Sequence, residues 1–360
     1  MIWAFLSVLK VEAFAVLGSL QRPFILFSAL AWMKNTVVRL RINVLALILL
    51  FWVVITVTWS LIIYQEWLSL RPFANWVLFF AAFLWSHKRL GSSGSEKWLI
   101  FGLRGALFSV LIDAGSFATS GTLIFTFTGP DKYFPSGVFP EPSDVPPYAL
   151  IYILLVKRWF DKLFAVLLLL LYSAVLFVET TAALMLFIVF ARLLNLVLKK
   201  QKRILVPVIF FLLSGVMFIQ TIFLEDLSFN ESARNRLSSP VYFQLAAFSS
   251  PQVIFGRGLG SVTYDFAGIT KELSQFLSQP LSAEQANLDA DFMDKNANIF
   301  NMHIRIIYEM GLLFYVLLVY FIQKRSNDFF ILGMFYWLIN DVLFNPFFII
   351  GAGYSGAKYR

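Results

Sequence analysis

Cysteine is absent from this 360-residue chain, histidine occurs only as His87 and His303, and charged side chains make up 14% of it. The first absence excludes disulfides, thiolate metal sites and cysteine nucleophiles. Two histidines so far apart do not suit a histidine-rich metal centre, and the expectation is a protein without metal or cofactor. The shortage of charge says most. A soluble domain of this length carries about 25% charged residues. Here 59% of residues are hydrophobic and the mean hydropathy is +0.76. Such a chain needs the lipid bilayer as part of its solvent. Residues 1–20 lack the pattern of a cleaved signal peptide, because the apolar run comes first and Lys10 and Glu12 follow it.

What is abundant is long apolar runs spread over most of the length, as in one embedded domain covering residues 1–360. A spanning helix needs about 20 apolar residues, and the shortest about 17. The clearest candidates are 42–64, 98–118, 204–224, 298–323 and 329–350; shorter ones are 2–20, 22–33, 73–86, 142–156, 163–178 and 181–197. The expected fold is therefore all-α, a polytopic transmembrane bundle of about 11 spans. Whether 2–33 holds one span or two stays open.

The formal net charge of +8 has the sign of a nucleic-acid binder, but its distribution excludes that partner. The basic residues sit in short clusters between apolar runs: Lys34, Arg39 and Arg41; Lys88, Arg89 and Lys97; Lys157, Arg158 and Lys162; Lys199, Lys200, Lys202 and Arg203; Lys324 and Arg325. With the spans above, all five clusters fall on one side, which the positive-inside bias makes cytoplasmic. Two long loops, 119–141 and 225–297, then lie on the other side. The second is long enough to fold over the bundle. No internal repeat is visible, which counts against a secondary transporter built from inverted repeats.

Candidate chemistry concentrates in and after the large loop. Arg234, Arg236 and Arg257 occur with no acidic residue between the first and the last, and Asp265, Glu272, Glu284, Asp289, Asp291 and Asp294 follow. Arginine stays charged at any relevant pH and binds phosphate bidentately, so the cluster suits a diphosphate or a phospholipid head group. Pairing of these arginines with the acids that follow is the plainer alternative. Gly256-Arg257-Gly258-Leu259-Gly260 is not a nucleotide-binding P-loop, since no Gly-Lys-Ser/Thr follows it. It reads either as a turn whose exposed N–H groups approach an anion or as a turn alone.

Beyond the loop, Asn298, Asn301, Arg305 and Glu309 are spaced i, i+3, i+7 and i+11 and share one helix face at about 100° per residue. Polar groups within a span face the bundle interior or a water-filled cavity. An Arg305–Glu309 pair at i, i+4 is the structural alternative. His303 lies about 140° off that stripe, either as an acid or base or as a structural histidine. Arg104, Asp113 and Arg192 also fall within spans; Arg192 is near enough to an end to snorkel. The first two are functional or structural with no sequence feature to decide.

The order of these features resembles the O-antigen polymerase and ligase superfamily, the Wzy-type membrane glycosyltransferases, over residues 120 to 350. The carriers of the resemblance are Phe139-Pro140-Glu141-Pro142-Ser143, the helical pair around Glu179-Thr180-Thr181, Arg236 ahead of Gly256–Gly260, and Asn301 through Glu309-Met310-Gly311-Leu312. Two positions depart from the family pattern. Its His-Asn pair would fall on Phe300-Asn301, displacing His303, and its Ser-Arg pair is missing at Thr180-Thr181. Both gaps favour a polymerase over a ligase.

The resemblance implies a GT-C-like helical fold and glycosyl transfer between undecaprenyl-diphosphate-linked saccharides at the periplasmic face of the bacterial inner membrane. A polymerase moves the growing glycan onto the next lipid-linked repeat, in company with a chain-length regulator, whereas a ligase moves it onto lipid A core. No nucleotide sugar is implied. On this reading Arg234, Arg236, Arg257, Asn301 and Arg305 bind diphosphate or glycan, and Glu141, His303 and Glu309 are the candidate bases. The rival from another class is a transporter or flippase with Arg104, Asp113, Arg305 and Glu309 along its pathway. A non-catalytic scaffold explains the bundle but not the polar stripe.

Overall fold

The computed structural model describes residues 44–64, 70–89, 93–125, 135–139, 145–175, 243–244, 246–262, 265, 301–326, 329–339, 343 and 346–358. Among them every regular element is helical. In chain order the α-helices are α1 Val44–Tyr64, α2 Leu70–Arg89, α3 Ser93–Ser120, α4 Val145–Leu155, α5 Trp159–Val175, α6 Met302–Met310, α7 Leu312–Ser326, α8 Phe329–Ile339 and α9 Pro346–Lys358. A 3-10 turn, Pro251–Val253, precedes the glycine-rich segment. The expected spans 2–20, 22–33, 181–197 and 204–224 lie outside the described residues.

Among the described residues two helices are long and apolar enough to cross a membrane: Val44–Tyr64 with 21 residues, and Leu99–Ser120 within α3 with 22. At about 1.5 Å per residue each reaches roughly the 30 Å of a hydrocarbon core. In α1 the buried residues Ala46, Leu49, Val53, Thr56, Val57 and Ser60 follow one helical stripe. The opposite face is also apolar, with Leu47, Phe51, Val54, Ile55 and Ile62 exposed. A helix that is hydrophobic all round suits lipid rather than water on its outer side.

The core is aromatic and is made where α2 and α7 meet α9. Trp76 stands edge-on to Phe314 at 5.3 Å, Phe83 meets Phe321 at 5.3 Å, and Trp337 meets Phe348 edge-on at 4.7 Å. Such rings bring large apolar area and prefer these offset and T-shaped arrangements. Two side chains from α2 bind α9 carbonyls: Ser86 donates to Ile349 O, and His87 Nδ1 lies 3.0 Å from Ala352 O. His87 is thereby a helix-packing residue.

Two expected continuous spans are broken. The run 298–323 divides at Gly311, whose φ of +91° no helical residue adopts. The run 329–350 divides into α8 and α9, with Pro346 at the first position of the new helix, where its missing N–H costs nothing. The overall apolar count of each run passes over its break, although Glu309 lies just before the first and Asn340, Asp341 and Asn345 lie before the second.

Candidate functional site

The break at Gly311 organises the site. The last carbonyls of a helix lack partners within it, and burying them unsatisfied is costly. Here the glycine-rich segment supplies donors. Arg257 N–H donates to Tyr308 O (2.9 Å) and Gly258 N–H to Glu309 O (3.0 Å), while Gly311 N–H bonds Ile307 O (3.0 Å). Trp52 Nε1–H, from α1, donates to Met310 O at 3.0 Å. In return Ile254 O accepts from Leu313 N–H at the start of α7 (3.3 Å). The segment 254–258 thus lies across the broken helix and hydrogen-bonds both sides of it.

This contact explains the glycines. Gly256, Gly258 and Gly260 have φ of +83°, +110° and +86°, a region that L side chains avoid. A Cβ on Gly256 would overlap the Glu309 carbonyl, and one on Gly311 would overlap Ile254 O. Gly258 passes Ser60 of α1 closely enough that a Cβ would lie 3.2 Å from Ser60 Cβ.

The anion-binding reading of the backbone is corrected at the same time. Gly256 N–H donates to Gln252 O, Leu259 N–H to Thr56 O and Ser261 N–H to Gly258 O. Together with Arg257 and Gly258, the N–H groups of residues 256–259 and of Ser261 are already used within the protein, which favours the turn over an anion cradle.

The side chains of the polar stripe meet beneath that segment. Arg305 Nε donates to Glu309 Oε1 at 3.4 Å, and the Glu309 side chain is 4% exposed against 20% for Arg305. The sequence alternative of an i, i+4 pair is therefore present. Asn301 is the N-cap of α6: its side-chain oxygen accepts from His303 N–H (3.1 Å) and Ile304 N–H (3.2 Å). His303 is buried between α6, α7 and α8. Its Nε2 lies 2.8 Å from Met334 O, which can only accept, so Nε2 carries the proton; Nδ1 then accepts from Tyr315 O–H at 2.9 Å. Both ring nitrogens are engaged, and proton transfer at His303 requires exchange of one of these bonds.

Arg257 extends over the Tyr308 ring, with its guanidinium carbon 5.0 Å from the centroid, and forms an ion pair with Asp265 at 3.7 Å. Asp265 also accepts from Tyr308 O–H at 2.6 Å and from Tyr64 O–H at 3.3 Å. The Arg257–Asp265 pair is the plainer alternative that the sequence left open, whereas Tyr64 and Tyr308 carried no functional reading, because only the folded chain brings them to Asp265. Beside this cluster, between α1 and residues 251–258, lies a mostly apolar groove of about 790 Å³, walled by Trp52, Trp59, Ile62, Gln252, Phe255 and Gly256.

The two undecided charges within α3 are structural. Asp113 is fully buried and its carboxylate accepts four backbone N–H groups: Ile124 (2.8 Å) and Phe125 (3.0 Å) on Oδ1, Ser136 (3.3 Å) and Gly137 (3.0 Å) on Oδ2. It ties both ends of residues 124–137 to the helix. Arg104 pairs with Asp161 of α5 at 3.5 Å. Arg192, Glu141, Arg234, Arg236 and Asn298 lie outside the described residues, as do Glu179-Thr180-Thr181. Among the described residues no cluster of His, Asp and Glu is arranged to hold a metal. Comparison with family models, with curated proteins and with solved structures finds no match to this chain.

Proposed function

We propose that this protein is a membrane glycosyltransferase that polymerises undecaprenyl-diphosphate-linked oligosaccharide repeat units into a surface polysaccharide, within a GT-C-like bundle of about 11 spans in the bacterial inner membrane. One observation carries the reading: the Gly256–Gly260 segment of the large loop docks onto the polar helix Met302–Met310. This brings the Gly256–Gly260 motif with Arg257 and the Asn301-to-Leu312 helix with Arg305 and Glu309, two of the elements that carry the family resemblance, into one neighbourhood.

In the reaction the acceptor hydroxyl oxygen bonds to the anomeric carbon of the donor glycan. The bond from that carbon to the diphosphate breaks, and its electron pair leaves with undecaprenyl diphosphate. Charge grows on the diphosphate, so arginines set against it stabilise the transition state more than the ground state. Arg257 and Arg305 take that part here, and the family resemblance gives Arg234 and Arg236 the same role. The hydroxyl proton needs a base. His303 has both nitrogens engaged, and Glu309 is paired with Arg305, so the reading gives the proton to Glu141. Glu309 then acts as the positioning residue for Arg305. The apolar groove beside Gly256 offers a surface for an isoprenoid chain.

A transporter gains nothing from the broken helix. Ion and substrate sites at such breaks use free helix ends, and here the carbonyls of Ile307, Tyr308, Glu309 and Met310 all have donors. The test is deletion of the protein followed by gel analysis of the polysaccharide. A product of a single repeat on lipid A core supports polymerisation. Loss of attachment with the lipid-linked polymer intact transfers the reading to a ligase, and an unchanged ladder refutes both.

A further inference from the structure

Three donors from three parts of the chain converge on one carboxylate. Tyr64, at the end of α1, places its hydroxyl 3.3 Å from each oxygen of Asp265. Tyr308 of α6 donates to Oδ2 at 2.6 Å, and Arg257 brings its guanidinium to 3.7 Å from the same atom. Two phenol hydroxyls and an arginine fork are the donor set that a phosphate group requires, since a phosphate, like a carboxylate, presents several negatively charged acceptors.

The carboxylate fills the tyrosine part of this set closely and the arginine part loosely. An Arg–carboxylate pair at its best makes two parallel hydrogen bonds at about 2.7–2.9 Å, and the separation here exceeds that by most of an ångström. Arg257 Nε is buried and has no hydrogen-bond partner among the described residues. Its Nη2 reaches only Ala246 O, at 3.5 Å. The pair is also open to exchange, with 28% of the Arg257 side chain and 21% of the Asp265 side chain accessible. A tetrahedral anion, larger than a carboxylate and with more oxygens, can reach the idle donor and the fork together.

We infer that Tyr64, Arg257 and Tyr308 form a phosphate-binding site in which the Asp265 side chain stands in for the anion. This rests on the glycosyl-transfer reading for its natural ligand, a diphosphate, but its physical content is independent of that reaction. Asp265 competes with the incoming anion and reduces its apparent affinity by the fraction of molecules in which the carboxylate is seated. Its release accompanies binding, so Arg257 never faces the apolar surroundings without a counter-charge.

The test uses the full chain, purified in detergent, titrated calorimetrically at fixed ionic strength with inorganic pyrophosphate and, separately, with farnesyl diphosphate. Asp265→Asn keeps the size of the side chain and removes its charge. It is expected to bind pyrophosphate about tenfold more tightly than the parent, a gain of about 1.4 kcal/mol, and Arg257→Gln in the same background is expected to abolish that gain. Binding no tighter in Asp265→Asn than in the parent overturns the inference, and so does a gain that survives Arg257→Gln. If Asp265→Asn does not fold, Tyr64→Phe serves: it removes one donor and weakens pyrophosphate binding several-fold, and unchanged binding there overturns the inference. Tighter binding of farnesyl diphosphate than of pyrophosphate assigns the site to a lipid-linked diphosphate, and equal binding to the free anion; the Asp265→Asn gain supports the stand-in in either case. A normal glycan ladder after deletion of the protein removes the proposed reaction without touching these affinities.

Discussion

Gly256→Ala isolates the docking of the loop segment onto the broken helix. The substitution adds one methyl group at a φ of +83°, where its Cβ overlaps the Glu309 carbonyl and lies 2.6 Å from Gly311 N. The left-handed backbone costs a non-glycine residue about 1–2 kcal/mol. Relief of the overlap requires the loop segment to retreat, which breaks the bonds from Arg257 N–H to Tyr308 O and from Gly258 N–H to Glu309 O. Each is worth about 1 kcal/mol net. The expected loss is therefore about 3–4 kcal/mol, a large share of the roughly 5–15 kcal/mol that holds an ordinary fold. Gly115→Ala is the control, because its Cβ meets nothing within 4 Å and it sits in the interior of α3. There alanine gains about 1 kcal/mol of helix propensity. In thermal unfolding of the detergent-solubilised protein, Gly256→Ala should lower Tm by on the order of 5–10 °C, while Gly115→Ala should hold or raise it. A Gly256→Ala protein as stable as the parent refutes the idea that close backbone approach is what these glycines are for.

Asp113→Asn should detach residues 124–137 from α3. The amide keeps one accepting oxygen and turns two N–H donors toward backbone N–H groups, and hydrogen bonds to a charged acceptor are worth about 1.5–3 kcal/mol each. A loss of roughly 3 kcal/mol in thermal unfolding, with faster proteolysis of that segment, is expected; unchanged stability contradicts the four-bond account. His303→Ala leaves the Tyr315 hydroxyl and Met334 carbonyl without their partner, at about 1–3 kcal/mol each. It should lower Tm while glycan synthesis persists at permissive temperature. Full stability with no product gives His303 a direct chemical role instead.

The apolar runs located the helices well where burial and composition agree. The run 42–64 became Val44–Tyr64, and 142–156 became Val145–Leu155. The i, i+4 spacing of Arg305 and Glu309 likewise anticipated a contact that depends only on helix geometry. Long-range partners were not legible. Asn301 sits on the polar face at the right spacing, yet its position at the helix start makes it a cap, and no cap is visible until the start is known. Gly311 interrupts a run long enough to be taken for one span because residues 254–256 need its space, information that lies in another part of the chain. The same applies to Asp113, whose four partners come from a loop, and to the meeting of Tyr64, Asp265 and Tyr308.

The central claim is that Arg257 serves a lipid-diphosphate glycosyl transfer, and Arg257→Ala tests it most directly, with Arg236→Ala beside it. Each variant is expressed in the deletion background, its amount in the membrane is measured by immunoblot, and the surface polysaccharide is resolved on a gel. Membrane levels equal to the parent with the long-chain ladder lost are the predicted result. A long-chain ladder at normal intensity in both variants contradicts it.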